Sequence, residues 1–330
     1  MTIGQPQATR SYRCLSGRTT VPEKQRKRVT IVGLGRTGQS IGLALRQGAP
    51  SLELVGHDRD PDASRTAQRA GAVHKTHWNL PAACDGAALV ILALPAAEVI
   101  PTLAALRSEL RPGAVVTDTA PIKSPFGRWA KANLPGSVHY VGGHPLAQMP
   151  ERASADAFEG SVYCLTPPAD AEPEAVAAVI QVVDLLRAQP LFLEAEEHDG
   201  LMAALQQLPA LAGYATLETL LASSALADLQ GLSQALPAEV LSLGSLAAAG
   251  FEAAMAESER SVVAEWLRRY ISLLQATLTA LESGDEETMK ALVGRLQSAP
   301  DRWLGSGQTA SSADDASRRS QYWRRMFGMR

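Results

Sequence analysis

The sequence lacks the cysteine pairs, the basic excess and the long apolar runs that mark several classes of protein. Its three cysteines, Cys14, Cys84 and Cys164, lie far apart and form no Cys-x-x-Cys pair, so we expect neither a disulfide scaffold nor a zinc site. The formal net charge of −3 argues against a nucleic-acid-binding protein, which usually carries a strong basic excess. No apolar run reaches the roughly 18–20 residues that cross a bilayer. These absences predict a cytoplasmic protein with no metal site and no nucleic-acid or membrane partner.

What is present is the composition of an ordinary globular chain, with 46% hydrophobic and 20% charged residues. A length of 330 residues allows one or two domains with a full-sized core. Sequence patterns divide the chain into a flexible basic arm (1–28), an alternating strand–helix domain (29–194), a helical domain (195–300) and a tail (301–330). The basic arm is also compatible with an organellar transit peptide.

The most informative stretch lies at residues 29–45, where a β-branched run meets closely spaced glycines. Gly33, Gly35 and Gly38 follow the run, and an apolar helical pattern then begins. This is the spacing of a strand–turn–helix unit that binds a dinucleotide. In such a unit Gly33 makes the tight turn, Gly35 lets the backbone approach the pyrophosphate, and Gly38 lets the helix pack closely on the strand. The phosphates then bind at the N-terminal N–H groups of the helix.

A carboxylate at the end of the next predicted strand completes this motif. Asp58 lies about 20 residues past the last glycine, where a carboxylate can bind the ribose hydroxyls. Besides the three glycines, the predicted cofactor contacts are Arg36, Thr37, Asp58 and Pro95. Asp58 favours NAD because it would repel a 2′-phosphate, whereas nearby arginines leave NADP possible: Arg36, Arg59 and Arg65.

The wider pattern predicts an α/β fold, with a doubly wound Rossmann-type N-terminal domain followed by an all-α C-terminal domain. Strands are expected at 29–32, 52–56, 88–94, 114–117, 138–142, 161–165 and 191–193, and helices at 63–70, 97–110 and 175–187. Beyond residue 195, helices are expected near 196–223, 237–249, 251–282 and 285–298. Ligands of such sheets bind beyond the carboxyl ends of the strands.

The first of the later helices carries leucines at helical spacing, at positions 201, 205, 208 and 211. A stripe of this kind is usually core or a subunit interface. Because the helical domain is so apolar, we expect it to form a homodimer. Pro209 lies inside this helix and is expected to kink it, since proline removes a hydrogen bond to the preceding turn.

His144 is the strongest candidate for chemistry. It follows the strand predicted at 138–142 and is expected to face the nicotinamide side of the crevice. A histidine poised near neutral pH can accept the proton of an alcohol while hydride leaves the same carbon. A purely structural histidine that braces a turn is the alternative.

Two further pairs of charged or titratable residues flank the predicted crevice. Lys123, five residues after Asp118, is suited to binding a substrate carboxylate or a cofactor group, or to a charge pair with no further role. His198 and Asp199 open the long helix of the second domain. Asp199 would stabilise that helix if it lay in the first turn.

Several short sequences, taken in order, resemble those of prephenate/arogenate dehydrogenases. They are the glycine motif, Asp118 with Lys123, Gly-Gly-His-Pro (142–145), Phe-Glu-Gly (158–160), Leu-Thr-Pro (165–167) and Glu-His-Asp (197–199). The resemblance runs from about residue 29 to residue 209 and fades beyond it. It implies an NAD(P)-dependent oxidative decarboxylation of prephenate or arogenate in tyrosine biosynthesis, with His144 handling the ring hydroxyl.

The chain departs from this family at several substrate positions. The serine that bonds the catalytic histidine in the family is Pro121 here, and the family's Ser-His-Leu-Pro-His is Gln-Gln-Leu-Pro-Ala at 206–210. The family's arginine after Gly-Phe is matched by Ala256, although Arg260 lies one helical turn further on. Either Lys123, Gln206, Gln207 and Arg260 recognise the same substrate differently, or the substrate itself is different.

We therefore expect a small-molecule dehydrogenase with His144 as the catalytic acid/base and Lys123, Gln206 and Arg260 as substrate contacts. Two alternatives stay open. One is a related Rossmann dehydrogenase with a different small carboxylated substrate. The other is an NAD-binding regulatory protein without turnover, which the loss of the usual Ser, His and Arg side chains would favour.

Overall fold

A parallel sheet organises the first half of the chain in the computed structural model, which describes residues 27–147, 149–222 and 260–309. Its strands, in chain order, are β1 (Arg28–Val32), β2 (Glu53–His57), β3 (Lys75–Thr76), β4 (Leu89–Leu92), β5 (Val115–Asp118) and β6 (His139–Tyr140). They are arranged as β3-β2-β1-β4-β5-β6, and all neighbours are parallel. This is the strand order of a dinucleotide-binding fold, whose ligand crosses the point where the order reverses, here between β1 and β4.

Helices cover both faces of this sheet because its central strands are apolar on both sides. They are α1 (Arg36–Gly48), α2 (Pro61–Arg69), α3 (Leu80–Cys84), α4 (Ala96–Leu106), α5 (Ser124–Asn133) and α6 (Pro173–Leu185). One core forms around α1 and α6, and a second core forms around α4 and α5. Every residue of β4, Leu-Val-Ile-Leu, is buried, as expected for a strand packed on both faces.

A second, three-stranded sheet follows, and it carries the candidate catalytic histidine. It consists of β7 (Gly142–Leu146), β8 (Val162–Thr166) and β9 (Gln189–Phe192), with β7 antiparallel and β9 parallel to β8. The strand predicted at 138–142 is therefore wrong in detail: the chain leaves the main sheet after β6, and His144 lies inside β7 rather than in a loop. Glycine permits β7 to pass close to the end of β5, because a Cβ at Gly143 would lie only 2.7 Å from the Asp118 carbonyl oxygen.

Only helices occur among the described residues after β9. These are α7 (Ala195–Met202), a π-helical turn (Ala203–Gln207), α8 (Leu208–Leu221), α9 (Arg260–Ser283) and α10 (Glu286–Thr309). The predicted α/β fold followed by a helical region is confirmed. The predicted helix at 237–249 lies outside the described residues, and α10 continues past residue 300 into the segment assigned to a tail.

The single helix predicted at 196–223 is interrupted near Pro209. The Leu208 N–H donates to the Ala203 carbonyl across the π-helical turn, and Pro209 follows in the first turn of α8, where a missing N–H costs nothing. A π-helical turn is a recognised place for a helix to bend. No helix in the described ranges is long and apolar enough to cross a membrane.

Candidate active site

The glycine turn after β1 has the geometry that a dinucleotide phosphate requires. Gly33 has φ +89°, and a Cβ there would overlap the Ala93 carbonyl, while a Cβ at Gly38 would overlap the Gly33 carbonyl. The space in front of the Cβ position of Gly35 is open. No side chain caps the first turn of α1, and no acidic residue lies in it. The positive end of α1 is thus open to an anion.

Asp58 lies at the carboxyl end of β2, one strand away from this turn. Its Oδ2 accepts the Leu34 N–H at 2.6 Å, and its Oδ1 accepts the Asp60 N–H at 2.8 Å. The carboxylate is therefore oriented toward the glycine turn. This is the position from which an acid at the end of β2 reaches a ribose.

The remaining predicted cofactor residues border the same opening. Arg36 and Thr37 lie in the first turn of α1, and Pro95 is the residue before α4. Of the arginines that would favour NADP, Arg59 pairs with Glu98 at 3.2 Å and Arg65 pairs with Asp62. Both arginines thus have carboxylate partners within the protein.

His144 lies next to the carboxyl end of β5, because the neighbouring Gly143 contacts Asp118. In the sheet order, β5 is two strands away from β1, on the side opposite β2 and Asp58. The side chain is buried and only 6% exposed. Burial lowers the pKa of His144 well below its usual range, and the positive charge of Lys123 lowers it further.

His198 and Asp199 approach this histidine from α7. The Nδ1 of His144 lies 3.0 Å from the Nε2 of His198, whose Nδ1 lies 2.8 Å from Oδ1 of Asp199. Asp199 lies in the second turn of α7, so the first-turn role expected for it is wrong. Its carboxylate instead accepts the N–H groups of Lys123 and Ser124, each at 2.7 Å, at the N-terminus of α5.

These contacts keep Asp199 ionised. Burial alone would raise the pKa of Asp199, but hydrogen bonds from His198, Ser124 and Lys123 outweigh it and lower the pKa. Sequence reasoning named the His-Asp pair but missed its contact with His144. Among the described residues no cluster of three or more His, Cys, Asp or Glu side chains is arranged to hold a metal ion.

The Lys123 side chain lies in the protein interior. It has no exposed surface, and its ammonium group bonds the Asp118 carboxylate and the Gly143 carbonyl, the latter at 2.7 Å. Tyr140 donates to the same carboxylate. Burial lowers the pKa of Lys123, although the attraction of Asp118 opposes this shift. The expected substrate contact is therefore replaced by an internal ion pair that ties β7 to the end of β5.

The two glutamines of the π-helical turn have opposite environments. Gln206 is exposed, whereas Gln207 is buried on the same side as Asp199 and Ala203, each four residues apart. Neither the Nε2 nor the Oε1 of Gln207 has a hydrogen-bond partner. Arg260 is the first described residue of α9, one turn before Val263, which packs with Ala203 of the π-helical turn.

A cavity of about 630 Å³ lies away from all these groups. Its walls include Val29, Leu89 and Val115, at or next to the amino ends of β1, β4 and β5, together with His139 at the start of β6. This is the edge of the sheet opposite the glycine turn. The cavity therefore has no part in the candidate site.

The sequence and the fold of this chain are similar to those of known proteins. The family described as "Prephenate dehydrogenase, nucleotide-binding domain" matches residues 41–191. Residues 41–191, which make up most of the domain with the parallel sheet, thus match the nucleotide-binding domain of the prephenate dehydrogenase family.

Individual members of this family are similar over the same part of the chain. Prephenate dehydrogenase of Bacillus subtilis is 27% identical over 186 residues, 55% of this chain and 50% of that protein. A probable prephenate dehydrogenase of Streptomyces niveus is 32% identical over 55% of this chain and 49% of its own length. The chain thus matches about half the length of the curated relatives.

Solved structures of the family resemble a larger part of the chain. Prephenate dehydrogenase of Aquifex aeolicus, in complex with hydroxyphenyl propionate and NAD+, gives a TM-score of 0.74 at 20% identity, covering 84% of this chain and 98% of that one. Arogenate dehydrogenase of Synechocystis gives 0.68 at 23% identity, covering 84% and 99%. Because both sequence identities are below 25%, these similarities show a shared fold and nothing more.

Proposed function

We propose that this protein is an NAD-dependent dehydrogenase that oxidatively decarboxylates prephenate or arogenate. The observation that carries the proposal is the buried imidazole of His144, positioned at the sheet edge beside a dinucleotide turn in a chain of this family. The small-molecule substrate lies between these two features.

The residues around the glycine turn fit a dinucleotide. Gly35 and the open N-terminus of α1 would hold the pyrophosphate, and Asp58 would bind the ribose hydroxyls. NAD is favoured over NADP because the Asp58 carboxylate at the end of β2 repels a 2′-phosphate. When bound, the cofactor supplies the hydride acceptor for the substrate carbon that bears the hydroxyl group.

The protein's own part in the reaction is to position the substrate and to accept one proton. His144 is neutral at pH 7 because its pKa is lowered, so it can take the proton of the ring hydroxyl as the hydride leaves. Loss of the ring carboxylate as carbon dioxide then makes the ring aromatic, and the imidazole returns the proton to the phenolate oxygen. Aromatisation drives the reaction, so one base and good positioning suffice.

Gln207 is the substrate contact that the burial pattern supports best. A buried amide with no partner loses the hydrogen bonds it would make to water, and a polar substrate would restore them. Gln206 and Arg260 remain proposed contacts at the rim of the same region, Gln206 because it is the exposed glutamine of the same turn and Arg260 because it opens α9.

We also propose that the chain works as a homodimer in the cytoplasm. Helices α9 and α10 expose large apolar side chains, namely Ile271, Leu273, Leu274, Leu278, Leu281, Val293 and Leu296. A run of this size is more apolar than a free surface usually is, and a second copy would cover it. Sedimentation of the purified chain tests this, with a dimer expected and a monomer contradicting it.

Turnover tests the proposed activity directly. Purified protein is mixed with NAD+ or NADP+ and with prephenate or arogenate, and cofactor reduction is followed by absorbance. We expect reduction of NAD+ with one of the two substrates and its loss in His144→Asn, whereas His139→Asn, a histidine substitution at the opposite edge of the sheet, retains it. Saturable NAD+ binding without turnover of either substrate would contradict the enzyme proposal and favour a regulatory protein.

A further inference from the structure

A chain of three side chains leads from the candidate base into the protein interior. His144 contacts His198 at 3.0 Å, and His198 contacts Asp199 at 2.8 Å. The side chains of all three residues are buried, and that of His198 has no exposed surface. Water therefore does not compete for these hydrogen bonds, so the groups must satisfy one another.

Asp199 sets the direction of the chain because its carboxylate cannot move or donate. Two backbone N–H groups at the start of α5 hold it, from Lys123 and Ser124, and the positive end of that helix favours its negative charge. An ionised carboxylate only accepts hydrogen bonds. The Nδ1 of His198 must therefore carry the proton that it shares with Oδ1 of Asp199.

This assignment propagates to the candidate base. The ring of His198, taken as the neutral form, carries one N–H and one lone pair, so with the proton on Nδ1 its Nε2 is the acceptor. The facing Nδ1 of His144 must then be the donor, and the Nε2 of His144 is left with the lone pair. We propose that His198 and Asp199 are positioning residues that hold His144 in the tautomer with Nε2 free to accept a proton.

This inference rests on the proposed function only for what the free Nε2 does. In the reaction the substrate hydroxyl proton goes to Nε2 of His144, while the Nδ1 proton stays in its hydrogen bond to His198. No other proton has to move, and the charge formed on His144 is stabilised by Asp199 through the ring of His198. Pro121 offers no hydroxyl for this purpose, so the pair on α7 provides the orientation.

The other titratable groups around His144 are compatible with a neutral base. They come from every element packed against β7: Asp118 from β5, Lys123 before α5, Tyr140 from β6, Cys164 from β8, and His198 and Asp199 from α7. Lys123 and Asp118 form an ion pair, and burial raises the pKa of both Tyr140 and Cys164. Of these charged groups, Asp199 is thus the one that hydrogen bonds connect to His144, through the ring of His198.

The tautomers can be measured without any substrate. In protein labelled with ¹⁵N-histidine, the ring nitrogen shifts distinguish protonated from unprotonated nitrogens, and the chain has only six histidines to assign. Near pH 7.5 we expect both His144 and His198 to carry the proton on Nδ1, the less common tautomer of free histidine. A protonated Nε2 on His144 would overturn the proposal.

Two substitutions at His198 separate positioning from simple packing. His198→Gln keeps an acceptor for the Nδ1 proton of His144, whereas His198→Leu removes it at a similar volume. We expect His198→Gln to retain the His144 tautomer and most of kcat. In His198→Leu the proton should move to Nε2 and kcat should fall about 100-fold or more with little change in KM, in the range of a lost general base.

Equal tautomers and equal kcat in the two variants would overturn the positioning role. The spectra of the unsubstituted protein also keep the test decisive if His198→Leu does not fold. The tautomers predicted here in a protein that turns over neither substrate would support the positioning pair and contradict only the proposed function.

Discussion

The buried pair Lys123–Asp118 allows a quantitative test of how β7 is held at the end of β5. We consider Lys123→Met, which keeps the aliphatic stem of the side chain and removes the ammonium group. The substitution leaves the Asp118 carboxylate buried without its counter-ion and the Gly143 carbonyl without its donor. Breaking a buried ion pair from one side costs about 3–5 kcal/mol, a large part of the 5–15 kcal/mol typical of a folded domain.

A double-mutant cycle with Asp118→Asn isolates the pair. The double variant holds neither charge of the pair, so we expect its loss of unfolding free energy to fall short of the sum of the single losses by about 2–3 kcal/mol. Urea unfolding at one fixed protein concentration measures all four proteins. The matched control is Lys131→Met, which breaks an exposed pair with Asp170 at 3.1 Å and should cost far less, because water screens an exposed pair.

Two results would refute the reasoning. One is a cost for Lys123→Met no greater than that for Lys131→Met. The other is simple additivity of the two single substitutions, which would mean that Lys123 and Asp118 do not depend on each other.

Three further predictions concern the glycine turn, His144 and Gln207. Gly38→Ala should destabilise the fold by about 1–3 kcal/mol, because its Cβ would overlap the Gly33 carbonyl. Gly35→Val should instead keep the unfolding midpoint and weaken NAD+ binding in a titration. Equal effects of the two substitutions on stability would contradict this. His144 binds a proton less readily in the folded protein than in the unfolded chain. The free energy of unfolding should therefore decrease as the pH is lowered below about 6.5, by up to about 1.4 kcal/mol per pH unit. His144→Asn should flatten this slope, and an unchanged slope would count against a lowered pKa. Gln207→Met should raise the unfolding free energy by about 1–2 kcal/mol, because two unpartnered polar atoms are removed. It should also raise KM for the substrate. A destabilised variant with an unchanged KM would rule out the proposed contact.

The parts of the molecule that could be predicted from the sequence depend on local chemistry. Gly33 is needed for a positive φ in the turn, and Gly38 is needed because its Cβ would overlap the Gly33 carbonyl five residues earlier. Apolar β-branched runs form buried parallel strands wherever they pack. The order β3-β2-β1-β4-β5-β6 follows from repeated strand–helix units with right-handed crossovers. For these reasons the α/β domain and its dinucleotide turn were predictable.

The parts that could not be predicted depend on contacts between distant segments. The Lys123–Asp118 spacing is compatible with either a substrate-binding lysine or an internal pair, and only the burial of β7 against β5 decides between them. His144 and His198 are 54 residues apart in sequence, and no local pattern indicates that their rings meet. A helical periodicity extended through residues 203–207 likewise gives no sign of the π-helical turn that buries Gln207 and exposes Gln206.

The most direct test of the account is a crystal structure of this chain with NAD+ bound. Proton transfer needs the base about 3 Å from the substrate hydroxyl, and hydride transfer needs the substrate carbon about 3–3.5 Å from the nicotinamide. Nε2 of His144 should then lie about 5–6 Å from the nicotinamide carbon that receives hydride. We predict this separation, with the pyrophosphate at the N-terminus of α1. A nicotinamide more than about 10 Å from His144, or a dinucleotide bound away from the glycine turn, would contradict it.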